Sequence, residues 1–327
     1  EYHNGIRKAL KVKKDEEYNS VDILDYVQAN AINDLLSGAE DEIAVIYAQG
    51  EIRGGDGDIN VIGEGAMRDA LKAARENKAV KAIVLRVDSP GGSALTSELI
   101  WRDIELTKKV KPVVVSMGNV AASGGYYISC NANRIFAEEG TITGSIGVFG
   151  MLPNFTELST KIGIHTEQVS THKNASGYSV FSPLKDDTRA IIQEGVESVY
   201  KTFVSRVAAG RKLTPEQVDA IGQGRVWSGS DAKRIGLVDE IGGLDAAIKH
   251  AAKLGKTTDY TTHAYPEFER DISMLFANLT GLPFAKTKEE FIKEEVGEEN
   301  YKVIERIRRV SQLKGTQVML PYEIVIK

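Results

Sequence analysis

Short apolar runs separated by stretches of helix length constrain this chain more than any other feature. The runs at 43–47, 82–87, 113–117, 134–137 and 164–169 are rich in β-branched residues, and helical periodicity appears between them at 65–76 and 96–108. Parallel strands need a crossover of a dozen or more residues, usually a helix, and are covered on both faces, so their sequences read as near-continuous hydrophobic runs. The expected fold class is therefore α/β, with mainly parallel buried strands and flanking helices.

Two of these runs end in small, glycine-rich loops. The run 82–87 leads into Asp88-Ser89-Pro90-Gly91-Gly92, and the run 113–117 into Gly118-Asn119-Val120-Ala121-Ala122-Ser123-Gly124-Gly125-Tyr126. In a parallel sheet both loops emerge at one edge, where ligands bind. The second reads as a nucleophilic serine, Ser123, at a strand-to-helix turn. Gly124 follows it directly and offers one backbone N–H to a developing oxyanion, and Gly91 or Gly92 offers the other. A third hydroxyl-rich turn, Thr141-Ile142-Thr143-Gly144-Ser145-Ile146-Gly147, lies between core elements.

A serine hydroxyl needs a base within hydrogen-bond reach. Of the five histidines, His3, His165, His172, His250 and His263, only His172 stands in a promising loop, Ser170-Thr171-His172-Lys173-Asn174-Ala175. Its neighbour Lys173 supplies a different base, because a desolvated lysine loses its proton more readily. Ser123 with Lys173 forms a candidate dyad, and Ser145 could hold the neutral amine. Ordinary readings stand beside these: a solvated loop lysine, and a turn in which Ser145 bonds its own backbone.

Further along, apolar residues Ile191, Ile192, Val196, Val199, Tyr200, Phe203 and Val207 form one face of a long helix that starts near Ser182-Pro183 and runs to Gly210. Thr214-Pro215-Glu216-Gln217 carries a capping box for a shorter helix, and 245–254 is amphipathic. Three regions result: 1–40, a polar linker or remnant of a preceding domain; 41–256, the α/β domain; and 257–327, a charged extension closing on a strand at 318–326.

The bulk numbers exclude several classes. With 42% hydrophobic residues, 27% charged residues and a net charge of −5, the chain has no basic excess to suggest nucleic acid. No run approaches the ~18–20 apolar residues of a membrane span. The start, Glu1-Tyr2-His3, is neither an initiator methionine nor a signal peptide, so the chain reads as a piece of something longer. The single Cys130 allows no disulfide framework and reads as a small apolar filler. No HExxH or paired-carboxylate spacing is present, so neither metal nor cofactor is expected.

Taken together, Asp88-Ser89-Pro90-Gly91-Gly92, Ala121-Ala122-Ser123-Gly124-Gly125-Tyr126-Tyr127 and Thr141-Ile142-Thr143-Gly144-Ser145-Ile146-Gly147 resemble the signal peptide peptidase SppA (protease IV) family. The likeness extends through Arg225-Val226-Trp227-Ser228-Gly229 and Gly236-Leu237-Val238-Asp239, covering roughly 41–256. It implies a ClpP/crotonase-like fold and a Ser-Lys endopeptidase that degrades cleaved signal peptides and other apolar peptides at the membrane. Ser123 is then the nucleophile, Lys173 the base and Ser145 the residue orienting it, with Gly91, Gly92 and Gly124 as the oxyanion hole. The family's long form has two tandem domains, with the serine in the second and the lysine in the first. Residues 1–40 and the tail resemble that second half, so a lysine from a missing domain is the alternative to Lys173. The resemblance further implies homo-oligomers of four or more subunits and a membrane-anchored, extracytoplasmic parent whose anchor lies outside this soluble fragment. A crotonase-type acyl-CoA enzyme, or a catalytically incomplete half, are the other readings.

Overall fold

The computed structural model describes residues 39–265 except 173, 174 and 176, together with 297, 301 and 317–319. All but the last two residues of the 1–40 region and most of the 257–327 extension lie outside the described residues.

Each apolar run that found neighbours became a strand. The central sheet holds β1 (Asp41–Gln49), β5 (Val80–Ser89), β7 (Val113–Ala122), β8 (Arg134–Ala137), β9 (Ile142–Gly144), β10 (Val226–Ser228), β11 (Glu240–Ile241) and β12 (Tyr260–Tyr265). Its main path runs β10-β9-β7-β5-β1-β12, with β8 and β11 extending from β7. All pairings in it are parallel except β9 with β10. A smaller sheet packs β2 (Glu51–Arg53), β3 (Gly57–Asp58), β4 (Val61–Gly63), β6 (Gly91–Ser93) and β13 (Gln317–Met319) in the order β13-β6-β2-β4-β3.

The period of two along a strand divides the core between the faces of the central sheet. Ala44, Ile46, Ile83, Leu85, Val113 and Val115 belong to one apolar cluster, and Ile43, Val45, Ala82, Val84 and Val114 to another. Helices α1 (Glu64–Glu76), α2 (Ala94–Lys108) and α3 (Gly124–Ser129) feed Leu71, Ile104 and Tyr126 into the first, while α8 (Leu244–Gly255) covers the second with Ala247, Ala251 and Ala252. The remaining helices are α4 (Thr156–Lys161), α5 (Asp186–Arg211), α6 (Pro215–Ile221) and α7 (Gly229–Arg234). The capping box of α6 forms as its sequence predicts, with the Gln217 N–H donating to Thr214 Oγ1 at 3.2 Å and the Thr214 N–H to Gln217 Oε1 at 2.8 Å.

Two expectations change. The run 164–169 forms no strand; it is irregular and exposed, with Ile164 at 50% and Val169 at 97%. Its apolar residues have no sheet edge to join, and an isolated strand cannot satisfy its backbone. Helix α5 has the expected length, yet it buries only Phe203, Val204, Val207 and Ala208, and Ile191 near its start is 58% exposed. Its first half extends past the core it is anchored to.

Candidate active site

Neighbouring strands β5 and β7 end side by side, with Val87 paired to Met117 and Ser89 to Ala121, so the two glycine loops share one edge of the sheet. Beyond this, β7 changes partner: Val120, Ala121 and Ala122 pair with Ile142, Thr143 and Gly144 of β9. Ser123 and Ser145 therefore stand one residue past the last pair of two adjacent parallel strands. Both have left-handed backbones, φ 53° at Ser123 and 49° at Ser145. Non-glycine residues pay about 1–3 kcal/mol for such conformations, and these cluster at functional sites. The strain is held by backbone bonds: the Ser123 N–H donates to Gly144 O at 2.8 Å, and the Ser145 N–H to Arg225 O at 2.7 Å.

Helix α3 begins immediately after Ser123, and its first turn closes with the Tyr127 N–H donating to Ser123 O at 2.8 Å. The N–H groups of Gly124, Gly125 and Tyr126 precede that bond and have no acceptor within the helix. Ser123 Oγ is buried and has no hydrogen-bond partner among the described residues. An unpaired buried hydroxyl costs free energy and is uncommon in a folded protein.

The loop after β5 lies against this elbow. A Cβ on Gly125 would fall 2.7 Å from Ser89 O, so only glycine lets the two approach this closely. Gly92, at φ 157°, runs so near β2 that a Cβ would fall 1.9 Å from Ile52 O. The Gly91 N–H donates to Ser89 Oγ at 3.1 Å, which closes the turn from within. Strand β6 has partners on both edges, with Gly92 opposite Ile52 of β2 and Val318 of β13.

Helix α3 is pinned through its two tyrosines. Tyr126 Oη donates to Leu237 O at 2.8 Å, and Tyr127 Oη to Glu98 Oε2 of α2 at 2.5 Å. Arg206 of α5 donates to both Glu98 oxygens and lies 4.0 Å from the centroid of the Trp101 ring. Burial, with the neighbouring Glu98 carboxylate adding to it at Tyr127, raises the pKa of both phenols well above the usual tyrosine range. Burial likewise pushes the Cys130 thiol up to about 12, which suits a space-filling residue.

The candidate bases are placed unequally. Lys173 lies outside the described residues. His172 stands in an exposed loop, 3.2 Å from Thr171 Oγ1. His250 stacks near Phe136, with ring centroids 5.5 Å apart, beside the cluster under α8. No described histidine is hydrogen-bonded to Ser123, so no Ser-His-Asp triad forms among the described residues. Next to Ser145 opens a cleft of about 420 Å³ lined by Ser145, Val148, Phe149, Val196, Tyr200 and Gln223. Sequence reasoning missed Thr141 and Thr143, whose Oγ1 atoms donate to Gly118 O and Ala121 O at 2.8 and 2.7 Å. Their alternation, one residue apart in a hydroxyl-rich turn, was the available signal.

A mainly parallel sheet whose adjacent strands end in a glycine loop and a strained serine elbow defines a ClpP/crotonase-like core. Residues 105–258 match the family described as Peptidase family S49. The chain is 46% identical over 214 residues to Protease 4 of Haemophilus influenzae, a match covering 65% of this chain and 35% of the relative. It is 42% identical over 240 residues to Protease 4 of Salmonella typhi, covering 73% and 39%. It is also 38% identical over 196 residues to a Synechocystis sp. chain named as a protease, slr0021, covering 59% and 70%. This chain belongs to Peptidase family S49. It spans little more than a third of the length of the two Protease 4 relatives.

Proposed function

We propose that this chain carries the nucleophile and oxyanion loop of a Ser-Lys endopeptidase that degrades cleaved signal peptides and other apolar peptides at a membrane. Ser123 Oγ attacks the scissile carbonyl as a neutral lysine takes its proton. The Gly124 N–H, with an N–H of the Gly91-Gly92 loop, stabilises the tetrahedral oxyanion. The same lysine then protonates the leaving amine, and water hydrolyses the acyl-enzyme. The observation that carries this reading is the buried, unpartnered Ser123 hydroxyl at a strained strand-to-helix elbow beside that loop.

Ser145 directly follows β9, the strand paired with the one that delivers Ser123, and is proposed to orient the lysine amine. The base is Lys173 or a lysine from a preceding domain, as the longer Protease 4 relatives allow. The apolar lining of the cleft beside Ser145 supports apolar substrates. Exposed Met151, Phe155, Leu158 and Ile162 around α4 support coverage by another subunit, consistent with a homo-oligomer of four or more chains. No described helix is long and apolar enough to cross a membrane; an extracytoplasmic, membrane-anchored parent is proposed from the family likeness alone. The family and the two Protease 4 relatives are peptidases by name, which gives the acyl-CoA reading no support.

The test is labelling by a fluorophosphonate together with cleavage of a signal-peptide substrate. Ser123→Ala is expected to abolish both. Lys173→Ala in this chain and in the full-length protein then identifies the base: loss of activity assigns it to Lys173, and wild-type activity assigns it to another lysine. Labelling that survives Ser123→Ala would overturn the nucleophile assignment.

A further inference from the structure

We propose that Asp88 is a positioning residue that sets the spacing between the serine elbow and the oxyanion loop. The inference rests on the serine peptidase reading and adds a residue to it. Between the pairs Val87–Met117 and Ser89–Ala121, strand β5 has one residue, Asp88, while β7 has three, Gly118, Asn119 and Val120. Strand β7 is therefore bulged by two residues just before it delivers Ser123. A bulge bends its strand and re-aims the residues beyond it, and its unpaired backbone groups must be satisfied elsewhere.

Asp88 and Thr141 supply those partners. The Val120 N–H donates to Asp88 Oδ1 at 3.0 Å, and Gly118 O accepts from Thr141 Oγ1 at 2.8 Å. Gly118 is cut to fit the carboxylate, since a Cβ there would lie 2.8 Å from Asp88 Cγ. The Asp88 backbone is fixed from the other side, where its carbonyl accepts the Gly50 N–H at 2.9 Å. One side chain, rooted in the strand that continues into Ser89-Pro90-Gly91-Gly92, thus holds the other strand three residues before Ser123. Without it, the half-buried Val120 amide loses its acceptor, and the bulge is free to relax and shift Ser123 against the loop.

Misplacement of reacting groups by about 1 Å lowers rates by about 10²-fold without necessarily affecting binding. The experiment compares Asp88→Ala, Asp88→Asn and Gly118→Ala in the full-length protein by three readouts: the rate constant for fluorophosphonate labelling, peptide kcat and KM, and Tm. Asp88→Ala is expected to lower the labelling rate and kcat by roughly 10- to 100-fold with KM within about twofold. Asp88→Asn keeps an acceptor oxygen and is expected to restore kcat to within about threefold of wild type. Gly118→Ala displaces the carboxylate from the opposite side and is expected to reproduce the kcat defect, which decides the matter if Asp88→Ala does not fold. Wild-type kcat in folded Asp88→Ala or Gly118→Ala, or an Asn variant as impaired as Ala, would overturn the proposal. A wild-type protein that fails to label would refute the peptidase reading itself, and this proposal with it.

Discussion

Gly125→Ala tests whether the contact between the oxyanion loop and the serine elbow sets the rate. The added methyl would lie 2.7 Å from Ser89 O and 3.2 Å from Ser89 Cβ, so it is about 0.7 Å short of ordinary contact with a backbone atom that cannot rotate away. Gly125 itself has no left-handed backbone, so strain from φ is not involved. Helix α3 is fixed through Tyr126 and Tyr127, and the loop must therefore give. Overpacking of this kind costs about 1–3 kcal/mol of stability. Opening the loop by several tenths of an ångström also moves its donor off the oxyanion, and loss of one such donor costs about 10²- to 10³-fold in kcat. The expected result is a folded protein with kcat reduced by roughly 10²-fold, KM little changed, and fluorophosphonate labelling slowed in parallel. Peptide hydrolysis and labelling kinetics on the full-length protein, with Tm as the fold check, measure all three. A variant that loses stability but keeps wild-type kcat would show that the loop's approach to α3 serves packing alone.

Two further predictions concern stability. Asp239 accepts two bonds from Arg211, at 2.7 and 3.0 Å, and one from the Ile135 N–H at 2.8 Å; although burial opposes it, these hold its pKa below the ordinary carboxylate value. A depressed folded-state value means that stability is fully present above the unfolded value of about 4 and is lost as pH falls through it toward the folded one. Asp239→Asn should destabilise by roughly 2–3 kcal/mol at neutral pH, below the range for fully buried pairs because the site is partly solvated, and flatten the acid limb of a denaturation-versus-pH profile; an unchanged slope would count against the pair. Gly195→Ala, in the exposed first half of α5 with open space around it, should stabilise by about 0.5–1 kcal/mol in denaturant melts while leaving kcat unchanged; a lower midpoint would show that this face is covered.

What could be read in advance was whatever depends on neighbours in sequence. The strand Arg134–Ala137 has the limits its composition predicts, and the capping box at Thr214 and Gln217 forms where its residues stand. The serine elbow was legible because small residues after an apolar run leave few other conformations. Partners far along the chain decided the rest. Residues 164–169 have strand-like composition but no edge to join, and Ile191 has helical spacing but no core beneath it. The bulge opposite Asp88 is a matter of register between two strands, which no local pattern encodes.

The order of the central sheet also bears on how the chain is made. Strand β1 is among the first described elements to be synthesised, yet one of its edges is closed by β12, with Asp41 opposite Tyr260. At ribosomal rates of roughly 5–20 residues per second, that edge waits on the order of ten to forty seconds for its partner. Throughout that interval a row of unpaired amides flanks Ile43, Val45 and Ile46, a template for pairing with any nearby strand. Long-range parallel pairing of this kind is intrinsically slow. A nascent chain halted before residue 260 therefore carries an aggregation-competent edge that the finished domain does not expose.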